Sequence, residues 1–224
     1  MEIFAIVEFG SDVRNQSDIN SDRDLLIVAN SSDLSLYRKK YINEGYSVSV
    51  YTPEQLHFMK KSGSLFLQHL KYESRIIFDF AGRFQSFISR CGFHKPSIKE
   101  LDKCIRTIES ALSIPVGLDL LLWKADYLYC ISRDYLIKRL ASEGKVYFGL
   151  EDLEREYVSL FGVHSNTFSI MSELRLAKYT FRSSSYIFCK LTPDHFSRLF
   201  DLLAQVGHLA IEISENITFD KYLK

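Results

Sequence analysis

The sequence predicts an α+β fold, with an α/β core over residues 1–95 and a helical bundle domain over residues 96–224. Three observations predict it. Short apolar runs stopped by turn residues alternate with segments of helical period through the first third of the chain. Beyond Gly82 the alternation ends and helical spacing takes over. The change of pattern falls near His94-Lys95-Pro96, with no long Pro-, Gly- or Ser-rich linker, so a shared interface is expected there in place of a free hinge.

The elements follow in order. Residues Ile3 to Phe9 form a short apolar, partly β-branched run that Gly10-Ser11 stops, which predicts a buried strand. A polar stretch, Asp12 to Ser21, separates it from a second apolar strand, Asp24 to Ala29. Ser32 or Asp33 is placed to cap a helix carrying Leu34, Leu36, Tyr37, Tyr41 and Ile42, which Gly45 ends. Tyr46 to Tyr51 reads as a third strand. Thr52-Pro53-Glu54-Gln55 combines a capping box with proline in the first helical position, so a helix runs from there to about Lys61. A further helix, Ser64 to Glu73, leads into a short strand, Ile76 to Phe78.

In the second part Ser97-Ile98-Lys99-Glu100 is another capping box, followed by Leu101, Ile105, Ile108 and Leu112 at helical spacing. Helices are also predicted over Val116–Ser142, Asp152–Phe161, Thr167–Phe181 and Asp194–Val206. Thr192 caps the last of these and Pro193 follows the cap.

Composition narrows the function classes. The 28 Lys and Arg balance 28 Asp and Glu, so no global field draws the chain to nucleic acid or to acidic membranes, and an anionic ligand needs a local site. Cys91, Cys104, Cys130 and Cys189 lie far apart with no CxxC pair, which argues against zinc and against a disulfide scaffold; reduced, mostly buried thiols are expected. Six histidines are dispersed with no pair at metal-ligand spacing. The apolar run after Met1-Glu2 lacks the basic start, length and cleavage site of a signal peptide. No stretch reaches the roughly eighteen apolar residues of a membrane span. Cytoplasmic residence and no membrane partner are the expectations.

The informative stretch is Gly10-Ser11-Asp12-Val13-Arg14, then Ser21-Asp22-Arg23-Asp24 entering an apolar strand. A strand that ends in Gly-Ser and turns into a helix lets phosphate oxygens approach backbone N–H groups, the Ser11 hydroxyl and a helix's positive end. Arg14, about one turn on, is placed to add a bidentate phosphate contact. Asp22 and Asp24 are two apart at a strand entrance, where alternation points both carboxylates to one face. Two hard oxygen ligands side by side suit magnesium, which takes one or two carboxylates plus substrate phosphates.

A glycine-serine turn, about ten residues, then Asp-x-Asp in a hydrophobic strand resembles the signature of the DNA polymerase β-like nucleotidyltransferase superfamily, over roughly residues 1–80. The resemblance implies phosphate-turn roles for Gly10 and Ser11, with Arg14 and Ser21 beside them, and metal-ligand roles for Asp22 and Asp24. It implies two Mg2+ ions and a nucleoside triphosphate, ATP among the candidates. The implied reaction moves a nucleoside monophosphate from an NTP or dNTP to a hydroxyl, with the two ions bridging the attacking and leaving oxygens. One departure stands out: relatives usually carry a third carboxylate on the next strand, where this sequence has Ser47 and Ser49. Serine is a poor magnesium ligand. A second ion would be held less well unless Glu44, Glu73 or Asp79 reached in.

Other features read as structural. Arg175, Lys178 and Arg182 share a helical face that can meet phosphates and is by default solvated. Tyr127, Tyr129, Tyr135 and Trp123 can stack on bases, but at this spacing are expected in the core. Arg90 to His94 does not match the Arg-x4–6-His ribonuclease motif of HEPN domains.

Small standalone nucleotidyltransferases of the Hailong anti-phage defence system resemble this chain in size and layout. That resemblance implies a DNA oligomer primed on a C-terminal tyrosine, a role that falls on Tyr222 as an acceptor in the catalytic set, with an oligonucleotide product. Two rival readings stand beside it: an adenylyltransferase acting on a small, aminoglycoside-like molecule or on a protein partner, and a degenerate domain that binds nucleotide without turnover.

Overall fold

The computed structural model describes residues 3–14, 21–30, 34–115, 118–161 and 166–182. The fold is mixed α and β, built on a four-stranded mixed sheet. The chain divides into two compact units, Met1–Lys95 with Val146–Leu150, and Pro96–Lys145 with Glu151–Lys224.

In the first unit, β1 (Ile3–Phe9) and β2 (Arg23–Ala29) pair antiparallel. β3 (Tyr46–Tyr51) lies parallel to β2, and β4 (Ser74–Asp79) antiparallel to β1, giving the order β3-β2-β1-β4. β1 and β2 read as nearly unbroken apolar runs because the central strands are covered on both faces. On one face Ala5, Val7, Phe9, Leu26 and Val28 pack with Leu56 of α2 (Pro53–Lys61), Leu67 and Leu70 of α3 (Leu65–Tyr72), and Phe84, Phe87 and Ile88 of α4 (Arg83–Ser89). On the other, Ile6, Leu25, Ile27 and Ala29 pack with Tyr37 and Tyr41 of α1 (Leu34–Asn43).

α2 opens on the expected capping box: Thr52 Oγ1 accepts from Gln55 N, and Thr52 N donates to Gln55 Oε1 at 2.8 Å. The residues expected to cap α1, Ser32 and Asp33, lie outside the described residues. β4 is longer than its Ile76–Phe78 core and carries a bulge. Its pairing runs from Ile6 with Phe78 to Val7 with Ile76, passing over Ile77. A single 3-10 turn, Phe80–Gly82, then leads into α4.

The regular elements described in the second unit are helices: α5 (Ile98–Ser113), α6 (Leu118–Ser142), α7 (Leu150–Phe161, whose first residue lies in the first unit) and α8 (Asn166–Arg182). α5 carries the second capping box, Ser97 with Glu100. α6 packs against both α5 and α8. Buried Lys124 donates its ammonium to the carbonyls of Leu112 and Ile114, at 2.8 and 2.6 Å, satisfying acceptors at the end of α5. Burial pushes that ammonium's pKa down. The helix expected over Asp194–Val206 lies outside the described residues.

Tyr129 and Tyr135 are buried as expected, but Trp123 and Tyr127 are 37% and 38% exposed and stack on each other with nearly parallel rings. They sit one turn apart on α6. Arg175, Lys178 and Arg182 are not a plainly solvated face. Arg182 bonds Asp126 of α6, Lys178 lies over the Tyr129 ring, and Arg175 Nε donates to the Tyr179 hydroxyl at 2.9 Å. Of the cysteines, Cys91 and Cys104 are buried and Cys130 is exposed, all three as free thiols, while Cys189 lies outside the described residues. Among the described residues, no helix is long and apolar enough to cross a membrane.

Candidate active site

The antiparallel register of β1 and β2 sets the Phe9 end of one strand beside the Asp24 end of the other, with Phe9 directly opposite Asp24. Gly10 follows in a left-handed conformation, φ +91°. That conformation favours glycine, and a Cβ at Gly10 would lie 2.7 Å from Asp24 Oδ2, so a side chain there would displace the tip of that carboxylate. Ser11 to Arg14 continue as a turn, and the segment expected to become a helix after it lies outside the described residues.

Ser21 and Asp22 lead into β2 at the same end of the sheet. Asp22 is exposed and Asp24 half-buried. Strand alternation puts Asp24 on the face of Leu26 and Val28, the one that α2, α3 and α4 cover. On the other side of β2, Asp24 pairs with Ser47 and Leu26 with Ser49. The position beside Asp24 on the neighbouring strand is thus a hydroxyl.

Of the three acids expected as replacements, Asp79 is distant, Glu73 is ion-paired beside the Gly10 turn, and Glu44 is exposed just before β3. Glu44 is exposed in the turn after α1. Asp79 pairs with Ala5, toward the opposite end of β1, and its carboxylate accepts from Phe84 N and Gln85 N, both at 2.9 Å, capping α4. Glu73 is ion-paired with Arg14 and lies 3.1 Å from His69 Nε2. Arg14, expected to face phosphate, is therefore tied to α3 through Glu73. Tyr222 lies outside the described residues.

The donor chemistry fits magnesium: two carboxylates at Asp22 and Asp24, flanked by the Ser47 hydroxyl, with substrate oxygens and water to complete the shell. It is a thinner set than three carboxylates. Among the described residues, no group of three or more His, Cys, Asp or Glu is disposed to hold a metal.

One charged residue of this end has no motif around it in the sequence. Glu8 is 5% exposed within β1. Arg75 Nε donates to its Oε2 at 2.9 Å and the Tyr46 hydroxyl to its Oε1 at 2.9 Å, while Arg23 Nη2 stands 3.9 Å away and its guanidinium lies over the Tyr46 ring. The row crosses all four strands on the face opposite Asp24. Burial by itself would raise the Glu8 carboxyl, but the bonds from Arg75 and Tyr46 and the two arginine charges outweigh it and hold the pKa below the usual carboxylate value. The signal was present as a lone acid inside an apolar strand, which must find partners once buried. No protein-family model and no curated protein matches this chain.

Proposed function

We propose that this chain is a magnesium-dependent nucleotidyltransferase with a polymerase β-like core and a C-terminal helical bundle. The observation that carries the reading is the left-handed Gly10 turn packed against the Asp24 carboxylate, with Asp22 at the entrance of the same strand. A bend without a side chain beside two acids is what a triphosphate and its counter-ion require.

In this reading Asp22 and Asp24 hold magnesium, which supplies positive charge against the phosphate oxygens. Gly10 lets the backbone come close to the polyphosphate, Ser11 offers a hydroxyl donor, and Arg14 adds a cation. The acceptor hydroxyl oxygen forms a bond to the α-phosphorus and gives up its proton to solvent. The bond to the bridging oxygen breaks, and pyrophosphate leaves with that electron pair. For the acceptor we favour the hydroxyl of a growing oligonucleotide begun on Tyr222, in anti-phage defence.

Ser47 beside Asp24 supports a second reading, a domain that binds nucleotide without turning it over. One experiment separates the two. Purified full-length protein is incubated with magnesium and each labelled NTP and dNTP, and pyrophosphate and the intact protein mass are followed. Transfer predicts pyrophosphate release that Asp24→Asn lowers by about a hundredfold or more, and a mass ladder that Tyr222→Phe removes. No product from any nucleotide, with binding that survives Asp22→Ala plus Asp24→Ala, would establish the second reading.

A further inference from the structure

The Gly10 turn has an acid on each side. Toward β2 it is Asp24; toward β4 it is Glu73, because Phe9 pairs with Ser74 and the next residue outward on each chain is Gly10 and Glu73. Glu73 is the C-terminal cap of α3, with its backbone N–H donating to the His69 carbonyl at 2.8 Å. Its carboxylate, 13% exposed, meets the Arg14 guanidinium and stands 3.1 Å from His69 Nε2.

His69 is itself gripped. Its ring stacks on Phe148 at 4.3 Å and stands edge-on to Phe9 at 5.5 Å, and Phe9 is the residue opposite Asp24. Burial would raise the Glu73 carboxyl, but His69 and Arg14 together outweigh it and keep it below its usual value, so the acid is charged at neutral pH. A packed ring thus stands against an anion, and the anion pairs with a cation that follows the glycine turn by four residues.

We propose that Glu73 is a positioning residue of the nucleotide site: backed by His69, it holds the Arg14 guanidinium beside the Gly10-Ser11 turn for contact with the polyphosphate of a nucleoside triphosphate. The proposal rests on the nucleotidyltransferase reading. Guanidinium carries five N–H donors in a planar fork, so a carboxylate on one edge does not use up its capacity for phosphate. An arginine already immobilised loses less rotamer freedom on binding than one recruited from solvent. The opposite role, a carboxylate that competes with phosphate for Arg14, predicts the opposite sign.

The test is a double-mutant cycle on the full-length protein, titrating a non-hydrolysable α,β-methylene nucleoside triphosphate in magnesium. Glu73→Gln is expected to weaken binding about tenfold. Arg14→Ala should weaken it at least as much, and the double variant no further than Arg14→Ala alone. In turnover, Glu73→Gln should raise KM with kcat little changed. Binding by Glu73→Gln that equals or exceeds wild type, or an additive double variant, overturns the positioning role while leaving the nucleotidyltransferase reading intact. A wild type with no affinity for any triphosphate overturns both. If circular dichroism shows Glu73→Gln unfolded, His69→Gln goes through the same cycle with the same two outcomes.

Discussion

Glutamate at position 8, inside β1, and glycine at position 10, just past its end, have different physical roles. Gly10 is required by backbone conformation, since its φ is left-handed, and a methyl group there would also push the tip of the Asp24 side chain aside. Glu8 is required by charge, since Arg75, Arg23 and the Tyr46 phenol converge on it. Burial and then Glu8 push the Tyr46 phenol upward, so it stays a neutral donor. Because the folded Glu8 pKa lies below its ordinary 4.5, its ionised form contributes stability above that value and loses the contribution as pH falls through the folded pKa. Glu8→Gln is therefore expected to lower stability by about 1–3 kcal/mol at neutral pH. The gap in urea midpoint between wild type and variant should close as pH falls below 4.5; a gap constant with pH would mean that the charge of Glu8 contributes nothing.

At the scale of elements, helix starts are local chemistry and strand ends are not. Both capping boxes, Thr52 with Gln55 and Ser97 with Glu100, form as their spacing predicts, because donor and acceptor lie three residues apart in one turn. Ser97→Ala should destabilise the chain by about 1 kcal/mol in chemical denaturation, with Ser97→Gly nearer to wild type. The start of α4 had no such legibility: its cap is the Asp79 side chain, which reaches Phe84 N and Gln85 N across the intervening 3-10 turn. The bulge at Ile77 was equally hidden, because it depends on which residue of β1 each β4 residue meets. The basic face of α8 likewise took its meaning only once α6 lay against it.

On the scale of the whole molecule, the compact unit that carries the candidate site takes in residues Val146–Leu150 from far along the chain. Phe148 is the reason this matters, since it is buried and stacks on His69. Phe148→Ala is expected to cost about 3 kcal/mol of stability, measured in thermal or denaturant unfolding of the full chain. A cost below about 1 kcal/mol would mean the ring is not packed as described.

By itself the sequence determined the strands and most of the helices of the first unit, both capping boxes, and the nomination of Gly10, Ser11, Asp22 and Asp24, since each depends on residues within a few positions of one another. Only the tertiary structure decided that Gly10 touches the Asp24 carboxylate, that Ser47 lies beside Asp24, that Glu8 is the hub of a four-strand row, and that Arg14 pairs with Glu73, which His69 approaches from α3. Those facts depend on strand order, register and the docking of α3. Pairing between residues some 15 to 67 positions apart is set by the burial of whole faces, which no local window of sequence contains.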